Sequence, residues 1–192
     1  MPRPHIVVLA AMFATLAGLA PARADSIFVR VTNQKTGVVV DWYNPTPTLG
    51  EVSLAEHGLV EHLSWSVISP RDAASGLPTG KRMHRPVTLG ARMSAATLQL
   101  GTALTDNDNL TTVQLLFFSA DADTGVQTLS RTMTLTNASV ASLSVYTIRD
   151  DDELLTFMDV SFTYQKVGIE DYAHGISYQD DWETPVSAPQ IP

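Results

Sequence analysis

The strongest constraint on the fold is a long alternating segment near the C-terminus, within residues 154–185. Its apolar members are Met158, Val160, Phe162 and Tyr164. Polar residues separate them, and this two-residue period is that of a β-strand with one buried face. A turn-rich stretch follows at 167–175, and the run 176–178 is suited to return as a partner strand. An isolated hairpin is only marginally stable in water, so the pattern predicts further strands and a mainly β, antiparallel protein.

The N-terminal 24 residues have the layout of a signal peptide. A basic start is followed by the almost wholly apolar residues 6–19 and by a small-x-small site that ends at Ala24. A transmembrane anchor would need about 20 apolar residues, and only about 14 are present here. We therefore expect cleavage between Ala24 and Asp25. The mature domain would then span residues 25–192, in the periplasm or outside the cell, without insertion in a membrane.

Charge and cysteine content limit the partners and the compartment. The chain has 12 Lys and Arg against 20 Asp and Glu, a net charge of −8. So acidic a protein is poorly suited to nucleic acid or anionic lipid, because binding to either depends on neutralising negative charge. The sequence contains no cysteine. An exported domain of this kind must be stabilised by its hydrophobic core without disulfides.

Shorter alternating runs predict strands through the rest of the mature chain. They are residues 26–32, 37–43, 59–68, 110–120, 126–136 and 139–148. Asn137 and Ala138 are predicted to form the turn between the last two runs, and the charged residues 149–153 to connect to the terminal hairpin. The segment 113–118 is apolar on both faces, which is typical of a central strand.

A single helix is predicted in the mature chain, over residues 94–104. Ser94 can serve as its N-cap. Leu100 and Leu104 are spaced by four, and with Leu98 they are expected to cover a face of the sheet.

Residues 69–81, with the sequence SPRDAASGLPTGK, predict a long excursion between strands. They contain two prolines, two glycines and almost no apolar bulk. Loops of this length inside a compact domain are usually functional or disordered. Because the loop lacks apolar anchors, we expect it to need a partner surface to become ordered.

Several polar clusters are candidates for a metal or calcium site. His57 and His62 lie close together, but their spacing is wrong for a zinc-binding helix, and we expect exposed or edge-strand residues and no metal. The segments 106–109 and 121–125 resemble fragments of calcium loops without the closing Glu, so they are predicted to be turns.

The acidic runs 150–153 and 180–181 would form a general acid and base only if they converged in a cleft. No nucleophile elbow, phosphate loop or cysteine nucleophile is present. Neither catalytic activity nor a cofactor is predicted. A secreted hydrolase that uses Asp151 and Asp181 stays open as an alternative.

Three local patterns together resemble a known family. Residues 75–86, SGLPTGKRMHRP, are similar to a TGKR-x-H-x-P segment. Residues 137–144, NASVASLS, are similar to an N-A-x-V-x-x-I/L-S strand, and residues 160–182 to a terminal hairpin with a V-S-F-x-Y-x-K-I strand and a D-x-W ending. In this order and spacing they resemble the haemolysin-coregulated protein (Hcp) family, the tube subunits of type VI secretion systems.

That resemblance implies a two-sheet, β-barrel-like domain with one short α-helix. It also implies assembly of the protein with itself into hexameric rings that stack into a hollow tube and carry or pass effector proteins, with tip or sheath components as further partners. The implied subunit-interface residues are Gly76, Leu77, Pro78, Thr79, Gly80, Lys81 and Arg82.

The signal peptide departs from the family pattern, because tube subunits are typically assembled in the cytoplasm without one. Two readings follow. Either the N-terminus is retained as an extension of a tube subunit, or the protein is an exported periplasmic relative that acts as a monomeric protein- or glycan-binding module.

Overall fold

The computed structural model describes residues 25–121 and 124–183, and two long strands that pair with each other dominate it. The elements are β1 Ser26–Asn33, β2 Gly37–Val38, β3 Thr48–Leu49, β4 Val52–Ser53, β5 Gly58–Ser64, β6 Val67–Ile68, β7 Met83–His84, β8 Val87–Arg92, α1 Ala95–Thr105, β9 Leu110–Ala120, β10 Gln127–Asp150, β11 Glu153–Asp171 and β12 Ile176–Asp181. Asp25 is the first described residue. Ala24 and the rest of the predicted signal peptide lie outside the described residues, so cleavage stays a prediction.

Six of these strands close into an antiparallel barrel. The order around it is β10, β9, β1, β5, β8 and β11, and β11 pairs with β10 to complete the circle. β2 adds to β1, β12 adds to β11, and the short pairs β3–β4 and β6–β7 form separate two-stranded sheets. The predicted fold class, a mainly β barrel with one helix, is confirmed. Among the described residues, no helix is long and apolar enough to cross a membrane.

The core has two parts, one on each face of β9. The larger part fills the barrel and includes Val113 and Leu115 of β9 together with Leu100 of α1. The smaller part contains Leu116 and Phe118, which β3 and the segment after β4 cover from outside. The prediction that 113–118 is a central strand apolar on both faces is confirmed.

The predicted turn at Asn137 and Ala138 is wrong. β10 runs without reversal through both residues, and Thr136 and Ala138 pair with Lys166 and Tyr164 of β11. Asn137 has a φ of 49°. Asparagine tolerates this left-handed conformation as a single residue, so the strand absorbs one irregular position and continues.

Three other boundaries differ from the sequence predictions. The strand expected over 37–43 ends at Val38, because Asp41 takes a positive φ of 60° that breaks the extended chain. The strand expected over 59–68 divides into β5 and β6, since β6 leaves the barrel to pair with β7. The turn expected over 167–175 occupies only 172–175, because β11 continues to Asp171 alongside β12.

The helix lies where it was predicted, one residue later at each end, but its buried face differs. Ala96, Leu100 and Ala103 are buried, whereas Leu98 is 67% exposed. At 100° per residue, Leu98 lies about 200° around the helix from Leu100 and therefore faces away from the barrel.

Candidate functional site

The excursion at residues 69–81 forms a small hairpin that is held by its own hydrogen bonds. The backbone N–H of Asp72 donates to the carbonyl of Leu77 at 2.9 Å, and the N–H of Thr79 donates to the carbonyl of Pro70 at 3.0 Å. Arg71 and Pro78 form a bridge between the two sides. The expectation that this loop needs a partner surface to become ordered is therefore wrong.

The carboxylate of Asp72 closes the turn of this hairpin. It accepts hydrogen bonds from the backbone N–H of Ser75 at 2.7 Å, from the Ser75 hydroxyl at 2.8 Å and from the N–H of Ala74 at 3.1 Å. These bonds, led by the backbone N–H of Ser75, lower the pKa of Asp72. A short polar side chain thus replaces the apolar anchor that the sequence lacks.

Arg82 differs from the other residues predicted to lie at the interface. The remaining six are exposed on the hairpin or on the chain that leaves it: Gly76, Leu77, Pro78, Thr79, Gly80 and Lys81. Arg82 instead turns inward, and its guanidinium binds both carboxylate oxygens of Asp180 at the end of β12. Arg82 therefore fixes the end of the exposed segment to β12 through Asp180.

Asp180 is the centre of a buried polar network that we call the Asp180 anchor, formed by Trp65, Arg82, His84, Tyr164 and Asp180. The side chains of Asp180 and His84 are 6% and 7% exposed, and His84 Nε2 lies 2.9 Å from an Asp180 oxygen. The bidentate bond from Arg82 lowers the pKa of Asp180, and the same carboxylate raises the pKa of Arg82. The anchor connects β12 to residues 81–85, which we call the basic segment because they include Lys81, Arg82 and Arg85.

The hydrogen bonds of the anchor contact the ring of His84 on both sides. The carboxylate of Asp180 can only accept, so Nε2 of His84 donates to it. Trp65 Nε1 donates to the Tyr164 hydroxyl at 2.8 Å, and the same hydroxyl lies 3.0 Å from Nδ1 of His84. Both ring nitrogens of His84 therefore have partners within the chain, which fits a fixed structural role.

A cleft of about 390 Å³ opens beside the anchor, between the basic segment and β11. Its lining combines apolar surface with two arginines: Arg82, Met83, His84, Arg85, Pro86, Thr163, Tyr164 and Trp182. Trp182 stays 56% exposed, although its Nε1 donates to the Tyr164 carbonyl at 2.8 Å. Arg85 is exposed and makes no ion pair within the described chain. The cleft can therefore accept an apolar group that carries a negative charge beside it.

The second prominent surface is a two-stranded arm, residues 141–156, formed by the ends of β10 and β11 that extend beyond the barrel. The pairing of β9 with β10 reaches only Ala138, and the pairing of β8 with β11 begins at Phe157. Apolar side chains stay uncovered on the arm: Val145 and Ile148 are each 48% exposed, and Leu154 is 58% exposed.

The arm ends in the acidic residues 150–153, which are all exposed. The turn is tight, and Asp151 takes a φ of 46° there. At the other end, two stacked aromatic side chains and an arginine connect the arm to the barrel. Tyr146 and Phe157 stack with centroids 6.0 Å apart, and the guanidinium of Arg92 lies 5.7 Å from the Phe157 ring. The root of the arm is thus fixed, whereas its tip has no partner among the described residues.

The histidines weighed as a metal site do not converge. His57 is 8% exposed, so the expectation of an exposed or edge position is wrong for it, and burial lowers its pKa. His62 lies across Gly90 and reaches Asp159 at 3.3 Å. No group of three or more His, Asp or Glu that could hold a metal ion occurs in the described ranges 25–121 and 124–183.

The aspartate-rich segments 106–109 and 121–125 differ in role: Asp121 closes a turn, and Asp108 connects two elements of the fold. Asp121 accepts the N–H and the hydroxyl of Thr124, both at 2.8 Å, as predicted for a turn. Asp108 does more than the sequence indicated, because it is buried, accepts from the Asn33 amide at 2.9 Å and pairs with Lys35. It joins the turn after β1 to the end of α1.

The two acidic runs lie far apart. Residues 150–153 occupy the arm tip, whereas Asp180 and Asp181 pair with β11 at Val167 and Lys166. Thirteen residues of strand separate Glu153 from Lys166, a distance of roughly 40 Å. The carboxylate pair required by the hydrolase alternative, Asp151 and Asp181, is therefore not assembled within one chain.

Sequence reasoning missed the Asp180 anchor and the arm. Arg82 and Asp180 are 98 residues apart, and no local pattern connects them. One partial signal was present: His84 lies within residues 75–86, the segment that resembles the family pattern. The arm was hidden because an exposed strand pair shows the same alternation as a buried one.

The comparisons with known proteins agree with the barrel. The family model described as "Type VI secretion system effector, Hcp" matches residues 50–170. The "Major exported protein" of Pseudomonas aeruginosa is 29% identical over 171 residues, which cover 85% of this chain and 99% of that protein.

Two solved structures extend the likeness to three dimensions. One, "Crystal structure of Hcp protein", has a TM-score of 0.72 at 25% identity and covers 82% of this chain and 99% of its own. "Secreted protein Hcp3 from Pseudomonas aeruginosa" has a TM-score of 0.66 at 23% identity and covers 84% of this chain and all of its own, so it supports the fold. The family match spans more than half of the sequence, and the chain belongs to the Hcp family of type VI secretion proteins.

Proposed function

We propose that this Hcp-family protein is a non-enzymatic tube subunit that assembles with itself into hexameric rings, and that the rings stack into a hollow tube through which effector proteins are carried or passed. The family supplies the function class. The feature of this chain that carries the proposal is the arm, whose exposed apolar side chains are not covered by other described residues.

The arm exposes apolar side chains in a geometry that favours association. Val145 and Leu154 lie on one face of the ribbon, and Ile148 lies on the other. A two-stranded ribbon of this kind is marginally stable in water unless another surface covers it. Apart from the carbonyl of Thr156, which accepts from the N–H of Met93 at 3.0 Å, the outer edges of both strands have no backbone pairing along the arm in the described chain. Their backbone groups are therefore open to pairing. A second subunit would satisfy both requirements.

The residues predicted at the interface, Gly76 to Arg82, fit a contact between subunits as a preformed element. Hydrogen bonds to Asp72 close the hairpin of residues 69–81, and the bond from Arg82 to Asp180 fixes the chain directly after it. A rigid, exposed element loses little conformational entropy when it binds. We propose that it inserts into a neighbouring subunit or ring without refolding.

Assembly can be measured directly. Light scattering after size-exclusion chromatography should give a particle of six times the mass of the chain, or of its mature form, and electron microscopy should show rings. A protein that stays monomeric at the highest attainable concentration would contradict the proposal and support the exported, monomeric binding module.

We further propose that the protein leaves the cytoplasm by one of two routes: cleavage of the signal peptide between Ala24 and Asp25 for an exported periplasmic relative, or assembly in the cytoplasm followed by secretion for a tube subunit that retains its N-terminus. The name of the Pseudomonas aeruginosa relative, "Major exported protein", supports export of the chain. Mass spectrometry of the N-terminus after fractionation of the native host is the test. A mature form that begins at Asp25 in the periplasm would support cleavage and the exported relative. A full-length chain in the cytosol or the culture medium would contradict cleavage and support the tube subunit.

A further inference from the structure

We propose that the acidic tip of the arm of one copy docks in the cleft beside the Asp180 anchor of a second copy. This inference rests on the proposed self-assembly, and it names the two surfaces that meet. Both surfaces belong to this chain, and each has what the other lacks.

The charges of the two surfaces are opposite and unpaired. Residues 150–153 are four consecutive acids, and none of them forms an ion pair in the described chain. Four of the 12 Lys and Arg of the sequence lie between residues 71 and 85. Of these, Lys81 and Arg85 are exposed beside the cleft and have no ion-pair partner among the described residues. Such complementarity favours the pairing of the two surfaces and speeds their encounter.

The apolar parts of the two surfaces also correspond. Leu154 and Ile148 flank the acidic turn and are 58% and 48% exposed. The lining of the cleft includes Met83, Pro86 and Trp182 together with two arginines. A leucine or isoleucine inserted there would be covered while the neighbouring carboxylates face Lys81 and Arg85. This arrangement, an apolar centre with a charged rim, is common in protein interfaces.

The geometry excludes a contact within one chain. The tip begins at Glu153 and the cleft includes Tyr164, so eleven residues of one strand, roughly 35 Å, lie between them. A continuous strand cannot bring its own ends together. The contact must therefore join two copies. When each copy docks on the next, the contact repeats and produces closed rings or stacked arrays depending on the rotation between neighbours, whereas a reciprocal exchange between two copies stops at a dimer.

Charge reversal on each surface separately tests the proposal with the protein expressed from the whole sequence. One variant carries Asp150→Lys and Asp152→Lys, and it leaves Asp151 with its positive φ in place. The other carries Lys81→Glu and Arg85→Glu, and it leaves Arg82 on Asp180. Each variant alone should raise the concentration at which assemblies dissociate by about tenfold or more, measured by mass photometry.

Recovery gives the decisive result. A chain that carries all four substitutions has an acidic cleft and a tip whose net charge over residues 149–153 changes from −3 to +1, so its assembly should recover towards that of the wild type. An equimolar mixture of the two double variants should also assemble, since each tip finds a complementary cleft. The proposal is overturned if both double variants assemble normally, or if neither the four-fold variant nor the mixture recovers.

The apolar part has a matched control. Leu154→Ser should weaken assembly, whereas Leu98→Ser, at the 67% exposed leucine of α1, should not. Equal effects of the two substitutions would overturn the seating of the arm tip in the cleft. If the wild type itself never assembles, the proposed function fails as a whole. If assembly is normal but insensitive to charge reversal, only this inference fails.

Discussion

The two halves of the β10–β11 hairpin have the same local sequence pattern but opposite environments. In the barrel half, Met158, Val160 and Phe162 are fully buried by neighbouring strands and α1. In the arm half, Val145 and Leu154 continue the same alternation and are about half exposed. Alternation thus specifies a strand with an apolar face, but the cover of that face comes from elsewhere. In the arm, we propose that it comes from another subunit.

The largest expected effect is the difference in stability between two leucine truncations. One lies in β8, which pairs with the barrel half of β11, and the other lies on the arm. Leu89 in β8 is fully buried in the barrel, and Leu154 is 58% exposed on the arm. Leu89→Ala should lower the free energy of unfolding by about 2–5 kcal/mol, because it leaves a cavity. Leu154→Ala should change it by less than about 0.5 kcal/mol, as an exposed substitution does.

Urea denaturation at a protein concentration below the assembly threshold measures both values. A large loss for Leu154→Ala under these conditions would mean that the arm is covered within the monomer. The contrast between the two halves of the hairpin would then be lost.

The second prediction compares adjacent aspartates at the end of β12. Asp180→Asn leaves Arg82 and His84 without their carboxylate and should cost about 2 kcal/mol, since the side chain is only 6% exposed. Asp181 makes no ion pair in the described chain, so Asp181→Asn should change the free energy of unfolding by less than about 0.5 kcal/mol. Thermal or urea unfolding of the two variants checks the difference, and equal losses would refute a special role for the anchor.

The anchor also shows how far the sequence could predict the site. The excursion over residues 69–81 could be predicted from its composition, and the segment 75–86 from its resemblance to the family pattern. Its support was not predictable, because Arg82 and Asp180 meet only when the barrel closes. The arrangement of the Trp65 and Tyr164 hydrogen bonds depends on the same closure.

For the fold, the elements with strong periodicity could be predicted and the interruptions could not. β1, β9 and α1 were found within a few residues because their local patterns are unambiguous. Asn137 was misread because the residue that favours a turn also tolerates a left-handed position inside a strand. The choice between these two outcomes is made by β9 and β11, which pair on both sides of it.

A third prediction contrasts two glycines that lie under side chains of different freedom. A Cβ on Gly58 would lie 2.4 Å from the ring of Trp42, which is buried and cannot move aside. Gly58→Ala should therefore cost about 1–3 kcal/mol through overpacking. A Cβ on Gly90 would lie 2.0 Å from His62, whose side chain is 48% exposed and can swing into solvent.

Gly90→Ala should accordingly cost less than about 1 kcal/mol, although it breaks the contact between His62 and Asp159. Urea unfolding of both variants tests the comparison. If Gly90→Ala lowered the free energy of unfolding more than Gly58→Ala, the His62 side chain would be held more rigidly against Asp159 than its exposure indicates.

The last comparison concerns the acids at the two ends of the β10–β11 hairpin and the change of stability on acidification. At one end, Asp171 accepts from Arg131 at 2.8 Å and from His174 at 3.0 Å. These bonds, led by that from Arg131, lower the pKa of Asp171 from 3.8 to about 2. Because the folded state has the lower pKa, Asp171 stabilises the protein above the unfolded value, and this contribution is lost as the pH falls from about 4 to about 2. Asp171→Asn should therefore make the free energy of unfolding decline less steeply between pH 5 and pH 2, and urea titration at each pH measures this slope.

Asp152→Asn at the arm tip removes a carboxylate with no ion-pair partner in the described chain, and it should leave the wild-type slope unchanged. If Asp152→Asn flattened the slope as much as Asp171→Asn, the tip would be paired within the monomer, and the difference between a satisfied end and an open end of the hairpin would not hold.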